Sequence, residues 1–414
     1  MFKKLFSYRV PQNLMVIMNS MAVLLLYLYK DRLDRFVLIS GILLIFIIYM
    51  SNFILLKVSK GDHYIFLIIS MLVSIGIIMI YRINPIYGFR QIIWFSLGIL
   101  NFFLFYFLVR SIKHWNKWLT FYVVLSLVLF LSTLIFGVRI KGATNWIRIY
   151  GYSFQPAEII KVLFVFFLAS YFTGFRKIKP VIFHGIVYAY LGFLFLQRDL
   201  GTAMLFYFVF TTISYIYEEN RKLILYNLSG AFIMAGLSYL LVNHVQIRVQ
   251  TWINPWIYID SKGYQITQSL FAIASGGFFG TGIGLGHPEY IPEVHTDFIF
   301  SAICEEMGIF GGIAVIMLFL IFVYRGFKIA LQQNNKFFRI IAIGITAMFG
   351  FQAFIILGGV MKVIPLTGVT LPFVSYGGSS LVSSFAALGI LQVASEELEW
   401  EQEENHGFRI QKDS

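Results

Sequence analysis

The stretch YIPEVHTDFIF, residues 290–300, places three proton-exchanging side chains directly before a long apolar run. They are Glu293, His295 and Asp297, at two-residue steps. If the segment were extended, all three would share one face, and their oxygen and nitrogen atoms could bind a metal ion. Asp297 could also cap the following helix, or act as a general base in a protected cavity. The residues alone leave these alternatives open.

Other charged residues interrupt apolar segments, where a charge costs roughly 2.5–3.5 kcal/mol on insertion scales. Glu158 and Lys161 in QPAEIIKVLF are three residues apart, so on a helix they can form an ion pair. Such a pair either joins helices or lines a cavity. Glu305 and Glu306 are adjacent, so they cannot share a helix face, and each needs a separate partner, water or a raised pKa.

Two further segments place cations next to apolar runs. KGATNWIRIY contains Lys141, Asn145, Trp146 and Arg148, which could anchor the chain at a membrane interface or hold a headgroup or a sugar. In the turn of FLQRDLG, Asp199 could cap the next helix, and Arg198 could bind a phosphate group. The physical chemistry supports both kinds of interpretation.

The composition places these residues in a membrane protein. The chain has 414 residues, of which 59% are hydrophobic and 13% charged. Its apolar runs reach about 20 residues, the length of a membrane-crossing helix. A bilayer offers no partners to free backbone groups, and strict polar alternation is missing, so we expect helices and not a barrel. The formal charge of +12 lies mostly in short loops that orient helices, so no nucleic acid is expected as a partner.

We predict an all-α polytopic fold with about 12 transmembrane helices. An even number places both termini on one side, and the Lys and Arg content of that side predicts that it is cytoplasmic. MFKKLFSYR resembles the start of a signal sequence, but without a clear cleavage site it is interpreted as part of an uncleaved first helix. The predicted segments are 13–29, 36–56, 63–81, 91–109, 119–137, 157–174, 180–197, 201–217, 223–244, 298–324, 337–361 and 373–395.

Three regions follow from this layout. Residues 1–60 form two N-terminal helices, residues 61–395 a transmembrane core, and residues 396–414 an acidic cytoplasmic tail. The core includes a large extracellular loop, residues 245–297, which is too long for a simple connector. Its Trp, Tyr, Ile and Gly content predicts order, so we expect this loop to carry function.

Six motifs, in order along the chain, resemble the SEDS family (shape, elongation, division and sporulation). They are GATNWI, YSFQPAEIIKVLFVFFLASYF, QRDLGTAML, YQITQSLFAIASGGFFGTGIGLG, IPEVHTDFIFSAICEEMGIFGG and VIPLTGVTLPFVSYGGSSL. The resemblance extends from about Gly61 to Gln392. SEDS proteins have ten transmembrane helices, so the resemblance implies that this chain adds two at its N-terminus.

The resemblance implies a peptidoglycan glycosyltransferase that polymerises glycan strands from lipid II outside the cytoplasmic membrane, in elongation, division or sporulation. The family's essential acid maps to Asp297, its sensitive tryptophan to Trp146, and the acid and base of QPAEIIK to Glu158 and Lys161. Asp297 is then the candidate general base of an inverting transfer from undecaprenyl-pyrophosphate-linked glycan to lipid II. Expected substrate-binding or supporting residues are Lys141, Trp146, Arg148, Glu158, Lys161, Arg198, Glu293, His295, Glu306 and Ser375.

The departing pyrophosphate could be stabilised by cationic side chains or by a divalent cation, Mg²⁺ or Mn²⁺. No other cofactor is expected, and the resemblance implies a class B penicillin-binding protein as partner. The main alternative is a lipid II flippase, whose polar pathway the buried acids and Lys161 would supply. A third possibility is a scaffold that only recruits a partner.

Overall fold

The chain folds into a bundle of long helices. A computed structural model describes residues 2–28, 35–140, 143–149, 151–174 and 178–396. In this part of the chain the α-helices are α1 (Phe2–Leu28), α2 (Arg35–Val58), α3 (His63–Ile83), α4 (Pro85–Ser111), α5 (Leu119–Phe136), α6 (Ala157–Phe172), α7 (Pro180–Leu196), α8 (Leu200–Tyr217), α9 (Arg221–Leu241), α10 (Asn243–Ile253), α11 (Tyr264–Gly276), α12 (Ile299–Gln332), α13 (Lys336–Val360) and α14 (Gly378–Ala394).

The predicted apolar segments correspond to α1–α9 and α12–α14. Nine of the described helices are long and apolar enough to cross a membrane, and α7 and α14 are shorter apolar helices. The helix α6 has 16 residues and buries both Glu158 and Lys161. The prediction of an all-α polytopic membrane protein is therefore confirmed.

Polar caps define where several helices begin. The side chain of Asp62 accepts a hydrogen bond from Tyr64 N at the start of α3. Asn84 caps α4 directly before a proline, which suits the first helical turn because proline lacks an N–H there. Asp199 accepts from Thr202 N at the start of α8, so the predicted cap is confirmed.

The helices α3 and α13 are buried along most of their length and form the centre of the bundle. α13 packs against α6, α8, α12 and α14, and α14 packs along α4. Small residues permit the close approach: a Cβ on Gly389 would lie only 2.4 Å from the backbone oxygen of Phe102. This is the packing mode expected where lipid cannot drive helices together by the hydrophobic effect.

The two N-terminal helices dock on the core through buried amides. Asn19 on α1 donates to the hydroxyl of Ser74 on α3, at 3.1 Å. Asn52 on α2 donates to the hydroxyl of Ser70, at 3.2 Å. Hydrogen bonds between polar side chains join helices in this way inside a bilayer.

One end of the bundle carries structure that the sequence did not predict. Three short antiparallel strands, β1 (Val138–Ile140), β2 (Ala143–Ile149) and β3 (Tyr152–Phe154), form a sheet in the order β1-β2-β3. The helices α10 and α11 lie in the segment predicted as the long loop. We call the end that carries the sheet, α10, α11 and Asp297 the site face.

At the opposite end, the beginning of the predicted acidic tail is held by the bundle. Glu396 is only 3% exposed, and its carboxylate accepts from the Tyr106 hydroxyl at 2.7 Å and from the Lys60 backbone at 3.2 Å. A solvated tail therefore does not describe Glu396 itself. Residues 397–414 lie outside the described part of the chain.

Candidate active site

Asp297 lies at the end of a tight turn directly before α12. Thr296 N donates to Glu293 O at 3.0 Å, and Glu293 has φ 58, a conformation uncommon outside glycine. Phe298, not Asp297, occupies the N-cap position of α12, and the Phe298 side chain makes no capping hydrogen bond. Residues 293–297 form turns, which contradicts the extended conformation, and the N-cap position predicted for Asp297 belongs to Phe298. Strained backbone of this kind clusters at functional sites.

The guanidinium of Arg248 on α10 and the carboxylate of Asp297 converge on Gly368. A Cβ on Gly368 would lie 3.6 Å from Arg248 Nη2 and 3.9 Å from Asp297 Oδ2. Arg248 Nη1 donates to Thr367 O at 2.8 Å, which fixes the guanidinium. Burial lowers the pKa of Arg248, and the carboxylates of Asp199 and Asp297 oppose that shift. Since arginine stays protonated in proteins, Asp297 has a half-buried cation near it.

Asp199 connects the sheet to this cluster. Its Oδ2 accepts from Asn145 at 2.7 Å and from Gln155 at 2.9 Å. Because alternate residues of a strand face opposite sides, Trp146 and Arg148 on β2 lie on the face away from Asn145. The structure therefore brings Asn145 to the site, while the two residues predicted from the sequence lie on the other side of the strand.

A second cation, Arg198, acts on the same histidine as Arg248. Arg198 has φ 61 in the turn before α8. Burial lowers the pKa of His244, and the charges of Arg248 and Arg198 lower it further. We call Arg198 and Arg248 the cationic side of the site. Lys141, a headgroup candidate from the sequence, lies outside the described residues.

The segment after α13 fixes the turn that carries Asp297. The Ser375 hydroxyl donates to Thr296 O at 2.5 Å and accepts from Leu371 N at 3.0 Å. Tyr376 N donates to His295 O at 2.8 Å. Ser375, included from the sequence as a supporting residue, thus lies at the site and holds its backbone.

The buried pair of α6 supports the same segment. Lys161 Nζ lies 2.8 Å from Glu158 Oε2, and Ser383 donates to that carboxylate oxygen at 3.0 Å. Lys161 also contacts Gln352 Oε1 at 3.4 Å, and the amide of Gln352 donates to Thr370 O at 3.0 Å. The predicted ion pair is formed, and it connects α6 and α13 to the chain near Gly368.

The adjacent acids of α12 each have a partner, which is one of the alternatives that the sequence left open. Glu306 Oε1 lies 2.6 Å from Arg82 Nε, and Oε2 accepts from Gly284 N at 3.0 Å. Glu305 Oε1 accepts from His287 N at 2.8 Å. Both carboxylates therefore bind the glycine-rich loop, residues 276–287, which is a structural role.

The segment PEVHTD does not form a metal cluster. His295 Nε2 is 3.9 Å from Glu293 Oε2, and its ring packs on Tyr87 with centroids 4.8 Å apart. Among the described residues, no group of three His, Cys, Asp or Glu side chains is arranged to hold a metal ion. A metal bound by these three residues is therefore not supported.

Sequence reasoning missed Arg248, and it named Asn145 only as one polar residue of the KGATNWIRIY segment, without its contact to Asp199. Arg248 is the single Lys or Arg in HVQIRVQTWI, an amphipathic stretch of the long loop. A lone arginine in this stretch was the signal that could have identified it as a site residue. Asn145 lies within GATNWI beside the tryptophan that the family resemblance singled out. Their partners lie far along the chain, so only the fold reveals the contacts.

Comparison with known proteins shows the family of this chain. Residues 62–399 match the FtsW/RodA/SpoVE family of cell cycle proteins. The peptidoglycan glycosyltransferase RodA of Mycobacterium tuberculosis is 36% identical over 61% of this chain, and the chain spans little more than half, 57%, of that protein. Stage V sporulation protein E of Bacillus subtilis is 32% identical over 81% of this chain and 97% of its own length.

A solved structure has the same fold. It is a chain of a peptidoglycan synthase complex, described as coordinating polymerization and crosslinking. It superposes with a TM-score of 0.68 and 26% identity, over 81% of this chain and 98% of that chain. The family match over most of the chain and the shared fold confirm the resemblance seen in the sequence: this protein belongs to the FtsW/RodA/SpoVE family of cell cycle proteins, the SEDS family.

Proposed function

We propose that this chain is a peptidoglycan glycosyltransferase that polymerises lipid II on the outer face of the bacterial cytoplasmic membrane. The observation that carries the proposal is the convergence of the Asp297 carboxylate and the half-buried Arg248 guanidinium on Gly368. A nearby cation favours the ionised form of a carboxylate, which is the form that accepts a proton. The names of the relatives support the same activity.

In the proposed reaction, Asp297 acts as the general base. The 4-hydroxyl oxygen of the GlcNAc of lipid II attacks the anomeric carbon of the MurNAc that ends the growing strand. The new β-1,4 bond forms as the α-linked bond to undecaprenyl pyrophosphate breaks, and Asp297 takes the hydroxyl proton. The pyrophosphate leaves with the electron pair of the broken bond, and Asp297 later releases its proton to water.

The cationic side of the site is suited to the departing pyrophosphate. Negative charge builds up on that group in the transition state, where fixed cations stabilise it most. Arg198 and Arg248 supply permanent positive charge, and a planar guanidinium matches the geometry of phosphate oxygens. His244 adds no charge near neutral pH, because burial and the two arginines lower its pKa.

A divalent cation is proposed to accompany the pyrophosphate. Mg²⁺ commonly binds one or two carboxylates together with substrate phosphates, without a cage of protein ligands. Asp297 and Asp199, whose charges both act on Arg248, are the available carboxylates. We expect polymerisation to require Mg²⁺ or Mn²⁺, while EDTA leaves the melting temperature of the protein unchanged. Equal rates in EDTA and in Mg²⁺ would exclude this cation.

Orientation and partner follow from the same proposal. The substrate sugars are outside the cell, so the site face is extracellular and both termini are cytoplasmic. The partner is a class B penicillin-binding protein, a transpeptidase that crosslinks the strands. This is consistent with the solved chain, which comes from a complex that coordinates polymerization and crosslinking. The process served is cell elongation, division or sporulation.

The test uses purified protein in detergent with lipid II as the only substrate. The proposal predicts glycan strands that a muramidase digests to disaccharide units. A flippase would move lipid II across vesicles without making polymer, and a scaffold would do neither. Failure of the wild-type chain to form polymer, with and without a class B penicillin-binding protein, would overturn the proposal.

A further inference from the structure

Three rings meet beside the turn that carries Asp297. Tyr87 of α4 packs on His295 with centroids 4.8 Å apart and on Tyr376 with centroids 5.1 Å apart. His295 and Tyr376 complete the triangle at 5.7 Å. We call these three residues the aromatic platform; its rings are 32° to 63° from one another and belong to three separate segments of the chain.

The platform is attached rigidly to the candidate base. His295 is two residues before Asp297, and Tyr376 N donates to His295 O at 2.8 Å. Ser375 bonds the next carbonyl of the same turn, Thr296 O, at 2.5 Å. Any group that packs on these rings therefore has a fixed position relative to the Asp297 carboxylate.

The platform is partly open to the site face. All three ring residues are half-buried, and the side chain of His295 keeps 20% of its area exposed. Arg90 of α4 is exposed; burial raises the pKa of the Tyr376 hydroxyl, and the nearby charge of Arg90 opposes that shift. A core cluster would be closed to water; this one presents aromatic surface with a polar rim, which is the composition of a binding surface.

The two flanks of Asp297 differ in chemistry. The segment 367–376 contacts Arg248 through Thr367 at one end and His295 through Tyr376 at the other. The first end leads to the cationic side, which suits phosphate, and the second leads to rings, which suit the CH-rich face of a pyranose. An inverting displacement needs this division, since the attacking hydroxyl and the leaving group lie on opposite sides of the reacting carbon.

We infer that the aromatic platform of Tyr87, His295 and Tyr376 is the acceptor-sugar subsite, on which the GlcNAc ring of lipid II packs to present its 4-hydroxyl to Asp297. This inference rests on the proposed polymerase function and adds a substrate position to it. Arg90, at the rim, lies within reach of polar substituents of the same sugar unit. The donor strand then extends over the cationic side.

The test separates acceptor binding from chemistry. Initial rates are measured with varied lipid II at a fixed concentration of a lipid-linked tetrasaccharide donor, for the wild type, Tyr87→Leu and Tyr87→Phe. Loss of a well-packed aromatic contact costs upwards of about 1 kcal/mol in binding, so we expect KM for lipid II to rise roughly fivefold to tenfold in Tyr87→Leu. We expect kcat to stay within about twofold, and Tyr87→Phe to restore the wild-type KM, because the ring and not the hydroxyl carries the contact.

A matched control is available on the same face. Tyr290 packs on His287 with centroids 5.5 Å apart, is 60% exposed, and lies outside the platform. Tyr290→Leu should keep the wild-type KM. Melting temperatures show whether Tyr87→Leu is folded, and Tyr376→Leu provides a second variant if it is not.

The outcomes are distinct. An unchanged KM for lipid II in both leucine variants, or a rise in KM for the donor alone, would overturn the subsite while the wild-type enzyme still makes polymer. A wild-type protein that makes no polymer would instead overturn the proposed function. A fall in kcat alone, not restored by phenylalanine, would assign the rings a purely structural role and likewise overturn the inference.

Discussion

At the scale of residues, the position of Arg248 near Asp297 is the central feature of the site. A carboxylate buried alone would favour its neutral form, which cannot accept a proton. The Arg248 guanidinium, held by Thr367 O at 2.8 Å, supplies a fixed charge that a mobile surface lysine would not. In the proposed mechanism Arg248 keeps Asp297 ionised before the reaction and faces the pyrophosphate during it.

Replacing Arg248 should therefore slow polymerisation. We expect Arg248→Gln to lower the polymerisation rate by about 10²-fold or more, as for other removed transition-state donors. Arg248→Lys should recover only part of the rate, because an ammonium group lacks the planar fork that reaches both Thr367 O and the substrate. The measurement is the initial rate of lipid II polymerisation at saturating substrate.

The control for the two Arg248 variants is Arg221→Gln. Arg221 is an exposed arginine at the start of α9 that packs over Tyr215, far along the chain from the site. The polymerisation rate of the Arg221→Gln variant should stay within about twofold of the wild-type rate, as is usual for surface substitutions. If Arg248→Gln behaved like Arg221→Gln, the electrostatic role of Arg248 would be wrong.

Several site residues could be predicted from the sequence, and others could not. Asp297 and Ser375 lie in motifs that the resemblance covers, and the i,i+3 spacing of Glu158 and Lys161 predicts their ion pair. Arg248 has no such local signal, because its partners Thr367 and Asp297 come from other elements. Local spacing reports on contacts within a helix, whereas a site built from several loops depends on tertiary structure.

At the scale of elements, α12 is broken where it binds the glycine-rich loop. Gly308 has φ 68 and ψ −170, values that side-chain-bearing residues rarely adopt. The carbonyls freed at the break accept from the loop: Thr281 N donates to Glu305 O at 2.9 Å and Gly282 N to Glu306 O at 3.0 Å. Backbone groups that α12 leaves unpaired inside the protein are thus satisfied.

The break should not tolerate a side chain. A Cβ at Gly308 would lie 2.4 Å from both Gly280 N and Phe278 O, in addition to the unfavourable backbone angles. We expect Gly308→Ala to destabilise the protein by about 3 kcal/mol or more. Thermal unfolding in detergent measures the effect.

Gly192→Ala on α7 is the comparison, because a Cβ there meets open space. Alanine is the better helix former by about 1 kcal/mol, so this variant should melt at or slightly above the wild-type temperature. Equal melting temperatures for Gly308→Ala and the wild type would show that the break is not required.

Hydropathy predicted the long helices because each is an apolar run of bilayer length. It did not predict the sheet, whose strands β1 and β3 have only three residues each. Nor did it predict the break at Gly308, because a glycine within an apolar run is also compatible with continuous helix. Both features depend on contacts with other segments, Asp199 for the sheet and the glycine-rich loop for α12.

At the scale of the whole molecule, the two ends of the bundle have different roles. The site face gathers the sheet, α10, α11 and the chain between α13 and α14 around Asp297. The opposite end joins α3 to α12, where Arg325 pairs with Asp62 at 2.7 Å, and buries Glu396. Such an arrangement is suited to a protein that acts on substrates from one side of a membrane.

Cysteine labelling tests the proposed orientation. In a Cys304→Ser background, which removes the only cysteine of the chain, Lys262→Cys lies on the site face and Lys113→Cys on the opposite end; both native residues are exposed. A membrane-impermeant maleimide added to intact cells should label Lys262→Cys, while Lys113→Cys should react only after the cells are opened. The reverse pattern would place the site face in the cytoplasm and exclude lipid II polymerisation outside the cell.

The base assignment is the central claim, and Asp297→Asn tests it most directly. Asparagine keeps the shape of the side chain but cannot take the hydroxyl proton, and positioned bases contribute about 10²–10⁴-fold to rates. We predict that the purified variant keeps the wild-type melting temperature and polymerises lipid II at least about 100-fold more slowly. A folded Asp297→Asn protein that polymerises lipid II at the wild-type rate would contradict the account.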